Sequence, residues 1–368
     1  MVNLIWGNKT DKSEALEEKK QFYKEKYQKL NEFPKLTQIQ ITDFIRDDYW
    51  TNKLFWGDNL EVLYFLLNDM AEKIDLIYID PPFFSNSNYY INVESLDNNF
   101  QTIAYYDRWD HDLDSYLQML YERIFLFKKL LSNKGLIFVH LDWHANHYVK
   151  LILDEIFGEN RFVNNIVWYY YNKYSAGKKN LPRAHDDILV YSKSNNYTFN
   201  ELRIPRKRAK KQLKRVNVNG VLKNEKDDNG HVIYRTVVDK KMDDVWKIPC
   251  LQPASKEWTG YPTQKHPELL ERIIKLGSNE NDVIADFFCG SGTTLVAAEK
   301  LNRKWIGCDV SEYSIYLSYR RLTKMLQENQ GIKKKFYLFN IYTILTQERE
   351  NFIKSGFFEK ELKIKRKK

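Results

Sequence analysis

Ile77-Tyr78-Ile79-Asp80-Pro81-Pro82-Phe83 closes an apolar run that begins at Ile74. Such a run suits a strand covered on both faces, as in a parallel sheet. It ends on one carboxylate, followed at once by two prolines and an aromatic ring. In an open α/β sheet, ligands bind beyond the carboxyl ends of the strands. Asp80 therefore stands where a site mouth would be, on a stiff turn, beside a ring able to stack on a flat ligand. Asp and Pro are also common turn residues, so the stretch by itself fits a plain strand-ending turn equally well.

The flanking pattern favours an α/β sheet. Asn52 to Trp56 reads as a short strand closed by Gly57-Asp58, and Glu61 to Met70 as a helix. Phe84 to Phe100, rich in Ser, Asn and Tyr, reads as a long loop of the kind that forms lids. Leu113, Tyr116, Leu117, Leu120, Ile124 and Leu131 recur at helical spacing, with Asp112 as the cap and Asn133-Lys134-Gly135 as the stop. Leu136 to Leu141 is a second buried strand and Ala145 to Phe157 a helix. Alternation of this kind predicts a doubly wound, mostly parallel sheet.

A second constellation lies far downstream. Asp286-Phe287-Phe288-Cys289-Gly290-Ser291-Gly292-Thr293-Thr294 joins a buried strand, Val283 to Phe288, to a helix. Gly290 and Gly292 lack a Cβ and let a ligand approach the backbone. The helix start at Thr293 offers free N–H groups. About twenty residues on, a strand ends at Asp309, where a carboxylate can accept from ribose hydroxyls. The pattern fits a nucleoside cofactor, and lacks both the third glycine of a dinucleotide site and the Gly-Lys-Ser/Thr of a phosphate loop. A tight turn that needs glycine remains the plain alternative.

Between the two, roughly residues 169 to 257, Lys and Arg are dense, above all from Arg203 to Arg215, and Asn219-Gly220 and Asn229-Gly230 signal hairpin turns. The chain of 368 residues carries 58 Lys and Arg against 49 Asp and Glu, with 15% aromatics. That balance suits a polyanion with flat bases, although solvated surface charge gives the same totals. Its three cysteines, Cys250, Cys289 and Cys308, have no zinc spacing, and no metal site is expected. His140, His144 and His147 lie close together, and structural or DNA-contacting roles suit them better than a metal. No signal-peptide pattern is visible from Met1 to Thr10 and no apolar run is long enough for a membrane span, so a cytoplasmic protein is expected.

Asp-Pro-Pro-Phe upstream, Phe-x-Gly-x-Gly downstream and a basic insert between them resemble the β-class amino-group DNA methyltransferases. Tyr261-Pro262-Thr263-Gln264-Lys265 looks like that family's segment before the cofactor strand, and Leu54 to Leu60 like the segment before the catalytic strand. The resemblance covers about residues 51 to 325. Departures are Phe287 where Pro is frequent, His266 where Pro is frequent, and Phe84-Ser85-Asn86 after the catalytic motif.

The resemblance implies a Rossmann-like S-adenosylmethionine-dependent methyltransferase fold in permuted order. Its parts would be a charged helical extension (1–50), a catalytic half (51–168), a target-recognition insert (169–257), a cofactor half (258–327) and a basic tail (328–368). The implied reaction moves a methyl group from S-adenosylmethionine to the N6 amine of an adenine flipped out of double-stranded DNA. Asp80 and the Pro81 carbonyl would accept the amine hydrogens, Phe83 would stack on the base, and Pro82 completes the motif. Asp58, Thr263, Gln264, Lys265, Asp286, Phe288, Gly290, Gly292, Thr293 and Asp309 would form the cofactor site. N4-cytosine methylation and a DNA-binding protein without catalysis are the alternatives. A homodimer and a restriction endonuclease partner are compatible with the family.

Overall fold

The computed structural model describes residues 5–7, 9, 50–94, 99–109, 112–173, 179–328, 339–343, 349 and 363–365. Most of the expected charged helical extension over 1–50 and most of the basic tail lie outside these residues. By chain contacts the protein divides into a main unit, residues 1–199 with 245–368, and a small unit, residues 200–244.

The main unit opens with β1 (Asn52–Trp56), α1 (Asn59–Met70) and β2 (Ile74–Ile79), followed by β3 (Ser87–Glu94) and β4 (Asn99–Asp107). Next come α2 (Leu113–Leu130), β5 (Leu131–Leu141), α3 (Asn146–Phe157), β6 (Phe162–Tyr169) and β7 (His185–Ser192). The small unit holds β8 (Arg203–Leu213), β9 (Arg215–Val218), β10 (Val221–Asn224) and β11 (Tyr234–Lys241). The main unit resumes with β12 (Val245–Lys247), α4 (Pro267–Gly277), β13 (Val283–Asp286), α5 (Thr293–Lys300), β14 (Lys304–Asp309), α6 (Glu312–Glu328), β15 (Phe339–Thr343) and β16 (Lys363–Lys365).

Among the described residues, nine strands form one sheet in the order β12-β6-β7-β5-β2-β13-β14-β1-β15. Only β7 runs antiparallel to its neighbours. Every residue of β2 is buried, as its unbroken apolar run requires for a strand covered on both faces. From β2 the chain passes through α2 to β5 on one side; from β13 it passes through α5 to β14 on the other. The winding therefore reverses between β2 and β13, the place where an open α/β sheet leaves a crevice for ligands.

Three local expectations are corrected. The expected loop over 84–100 contains most of a hairpin, β3–β4, whose Ile91, Val93 and Ala104 are buried beside Tyr261, Tyr313 and Tyr316. The apolar alternation was hidden by polar and aromatic neighbours. α2 ends at Leu130, and Asn133-Lys134-Gly135 lies inside β5. A Cβ on Gly135 would stand 2.8 Å from Leu131 Cδ2 and 3.1 Å from the Ile74 carbonyl, so glycine here serves close strand approach. The segment 169–257 does not form one module: β7 and β12 belong to the large sheet, and only 200–244 stands apart. Asp112 does cap α2, accepting from Ser115 N at 3.1 Å.

In the small unit, β8 and β11 pair antiparallel, and β9 and β10 form a hairpin. Asn219 and Gly220 at the hairpin turn have φ of 53° and 82°, as a type I′ turn demands. Between the pairs Lys210–Val237 and Pro205–Asp239, Val238 alone faces Arg206, Lys207, Arg208 and Ala209. The surplus forms an exposed basic bulge. Among the described residues no helix is long and apolar enough to cross a membrane.

Candidate active site

Asp80 follows the last residue of β2, and Gly290 and Asp309 lie just beyond or at the ends of the neighbouring β13 and β14. A cavity of about 430 Å³ opens over these strand ends. Every residue expected in the site lines it except Gly292.

On the β2 side, Lys265 Nζ donates to Asp80 Oδ2. Asp80 Oδ1 is buried and has no hydrogen-bond partner among the described residues. The ring of Phe83 lies 5.8 Å from that of His140 and 5.3 Å from Lys265 Nζ. Tyr116 Oη donates to the Pro82 carbonyl at 2.8 Å, which fixes the diproline turn. The next turn hangs on Asp107, a buried carboxylate at the end of β4. Its Oδ2 accepts from Phe83 N (3.2 Å), Ser85 N (2.9 Å) and Ser85 Oγ (2.6 Å). Its Oδ1 accepts from Phe84 N (3.0 Å) and Trp109 Nε1 (3.1 Å). Phe84 and Asn86 sit at φ of 63° and 53°, a region non-glycine residues occupy only when their surroundings over-determine it. The carboxylate supplies that determination at Phe84, and Asn86 is held by its side-chain oxygen, which accepts from Trp109 N at 3.2 Å.

On the β13 side, Asp286 Oδ1 accepts from Phe288 N at 3.0 Å and Oδ2 from Thr294 Oγ1 at 2.5 Å. Burial pushes the Asp286 carboxyl up to about 7. Asp309 accepts from Gly290 N at 2.8 Å and Ser311 N at 3.0 Å, and burial raises its carboxyl as well. A carboxylate has about four lone-pair sites, so both aspartates keep acceptor capacity. Gly290 has φ of 49°, and a Cβ there would lie 3.1 Å from the Tyr261 ring. Gly292 has φ of 74°, and its Cβ would lie 2.5 Å from Ser318 Oγ. It serves the turn and its packing on α6, not the cavity wall. Thr293 Oγ1 accepts from the buried guanidinium of Arg321 at 3.0 Å, which burial holds down to about 10.

Three expected cofactor residues, all lining the cavity, also hold other parts of the protein. Lys265 is committed to Asp80. Gln264 holds its own loop, accepting from Thr259 N and Oγ1 at 2.8 and 2.7 Å and donating to the Glu257 carbonyl at 2.7 Å. Asp58 caps α1 through Leu60 N at 2.8 Å and pairs with Arg123 at 3.0 Å. The three histidines do not converge: His140 is buried behind Asp80, while His144 Nδ1 contacts Asp142 at 2.7 Å. Burial pushes the Cys250 thiol up to about 11, away from the thiolate a nucleophile needs.

Reasoning from sequence missed Asp107, Asp186 and the place of His140. Asp107 sits in a Tyr105-Tyr106-Asp107 run after a polar stretch, with no motif to flag it.

These geometries agree with comparisons to known proteins. Type II methyltransferase M.EcaI of Enterobacter cloacae is 29% identical over 314 residues, covering 72% of this chain and 67% of the relative. The StyLTI type III restriction-modification Mod subunit of Salmonella typhimurium is 26% identical and covers 69% of this chain, which spans 50% of that longer protein. DNA adenine methyltransferase YhdJ of Escherichia coli is 29% identical, with 68% of this chain and 77% of the relative covered. The family model described as DNA methylase matches residues 74–320, from the first residue of β2 into α6. With both motif-bearing strands and the crevice between them inside that match, the chain belongs to the DNA methylase family.

Proposed function

We propose that the protein methylates the N6 amine of adenine in double-stranded DNA, with S-adenosylmethionine as the methyl donor. The observation that carries this reading is the unpartnered, buried Oδ1 of Asp80, beside the Phe83 ring in the cavity that also contains Gly290 and Asp309. A buried acceptor without a donor is costly and calls for a ligand.

The cavity fits the donor. Phe288 supplies an apolar wall, the Gly290 turn lets a ligand lie against backbone, and Asp309 offers spare lone pairs to ribose hydroxyls. Bound there, S-adenosylmethionine would supply an electrophilic methyl group. The protein's own part is to prepare the amine. An exocyclic amine is a poor nucleophile because its lone pair is delocalised into the ring. Asp80 Oδ1 accepts one amine hydrogen and the Pro81 carbonyl the other, which localises the lone pair and aims it. Phe83 stacks on the flipped base and offsets part of the few kcal/mol that flipping costs. Lys265 holds Asp80 by its other oxygen, so that Oδ1 keeps a fixed direction.

A relative named as a DNA adenine methyltransferase favours adenine over cytosine. The basic bulge of residues 206–208 would bind phosphates and help present the target sequence. Similarity to restriction-modification enzymes suggests an endonuclease partner. Incubation with labelled S-adenosylmethionine and DNA, followed by digestion to nucleosides, tests the reading: N6-methyladenine is expected, and N4-methylcytosine would replace it by the cytosine alternative.

A further inference from the structure

Behind Asp80 lies a chain of polar groups for which methyl transfer as described above has no use. Tyr78 Oη, on β2, is 2.9 Å from His140 Nδ1, on β5. His140 Nε2 is 3.2 Å from Asp186 Oδ2, on β7. Tyr170 Oη donates to Asp186 Oδ1 at 3.0 Å and to the His185 carbonyl at 3.2 Å. His140 is fully buried, closed in by Trp168 edge-on at 5.4 Å and by the tilted Phe83 ring. His140 Nδ1 lies 3.8 Å from Asp80 Oδ1, the atom assigned to the substrate amine.

The direction of each proton follows from its partners. Burial drives the Tyr78 phenol well above its ordinary value, so it keeps its proton and donates to Nδ1. Burial also acts to raise Asp186, but its hydrogen bond to His140, the charge of Lys265 and the hydrogen bond from Tyr170 hold its carboxyl below the usual range. An ionised Asp186 accepts only, so the proton on His140 sits on Nε2. Nδ1 is then a bare acceptor, already satisfied by Tyr78. In the other tautomer Nδ1–H would donate to Tyr78 Oη, and the phenol proton, its acceptor gone, would be left to compete with the amine for Asp80 Oδ1.

We propose that Asp186 and His140 are positioning residues forming a tautomer lock, which keeps Asp80 Oδ1 open for the substrate amine. This rests on the reading of Asp80 as amine acceptor. The same logic operates in the Asp-His pair of serine proteases, where the carboxylate fixes the imidazole's tautomer and orientation.

Tyr170 makes the lock testable. In Asp186→Asn, donation from Tyr170 Oη favours the orientation with the amide oxygen toward Tyr170, in which the amide NH2 faces His140 Nε2 and forces the proton onto Nδ1. That variant should lose on the order of tenfold in kcat, with calorimetric affinity for S-adenosylmethionine unchanged. Adding Tyr170→Phe frees the amide to turn its oxygen toward Nε2, so Asp186→Asn/Tyr170→Phe should recover most of the loss. A merely structural role predicts that the double variant is worse than the single one, and that result would overturn the proposal. So would wild-type kcat in Asp186→Asn. Imidazole nitrogen shifts report the tautomer without any turnover: Nε2–H is expected in the wild type, and Nδ1–H there would refute the lock even if a variant fails to fold. Wild-type protein inactive on any DNA would instead sink the methyltransferase reading and leave the tautomer result standing.

Discussion

Asp107→Asn isolates the support of the catalytic turn. The substitution keeps shape and removes one acceptor oxygen. If the amide oxygen takes the Oδ1 place, it keeps Phe84 N and Trp109 Nε1, while its NH2 faces Phe83 N and Ser85 N. The Ser85 hydroxyl can rotate to accept, but the two backbone donors cannot. If the amide flips, Phe83 N and Ser85 N keep a partner and Phe84 N and Trp109 Nε1 lose theirs. Either way two N–H donors lose an acceptor inside a part-buried turn, at roughly 1–3 kcal/mol each. The predicted cost is therefore about 2–6 kcal/mol, a large share of an ordinary domain's stability. The turn should detach locally before the fold fails, because Phe84 has left-handed backbone and its N–H is held by Asp107. Urea unfolding, hydrogen exchange over residues 83–86 and methyl-transfer kinetics read the three consequences. Faster exchange and a kcat at least tenfold lower are expected, with S-adenosylmethionine affinity within a few-fold of wild type, since Gly290 and Asp309 lie at the ends of other strands. Stability within about 0.5 kcal/mol of wild type together with unchanged kcat would refute the reasoning.

Gly292→Ala places a Cβ 2.5 Å from Ser318 Oγ at φ of 74°, and should cost at least about 1–2 kcal/mol in backbone strain alone; thermal unfolding should show the loss, and Ser318→Ala should relieve only the clash with Oγ, since Ser318 Cβ would still lie 2.9 Å from the new methyl. Asp286→Asn tests the carboxyl that burial pushes up to about 7. The folded state holds that proton more tightly than the unfolded chain, so stability falls as pH rises from about 4 to 7, by up to about 4 kcal/mol. Asn keeps both hydrogen bonds and should remove that slope in urea melts taken across the window; an unchanged slope would show that Asp286 is not its source. Replacing Arg206, Lys207 and Arg208 together by Ala should lower the slope of log K against log salt for DNA binding by about 3 units, with cofactor affinity unaltered by calorimetry.

The strand-and-helix order of the main unit was legible because its strands are continuous apolar runs and its helices carry clean periods. The two site motifs were legible because Asp80 and Asp309 end strands and Gly290 needs its missing Cβ. What stayed hidden depends on contacts distant in sequence. The sequence does not show that Lys265 meets Asp80, 185 residues away. Asp107 is one acidic residue among many until three backbone amides turn toward it. His140 is one of three clustered histidines, and only the fold shows that its ring faces Asp80 and Asp186. The β3–β4 hairpin was missed because its few buried positions alternate with Ser, Asn and Tyr, as a loop's residues do.

The central claim is that Asp80 Oδ1 takes the substrate amine. Asp80→Ala is the most direct test, measured by methyl transfer to DNA in parallel with S-adenosylmethionine binding. Transfer abolished with cofactor affinity largely intact is the predicted result. Full transfer activity in Asp80→Ala would contradict it.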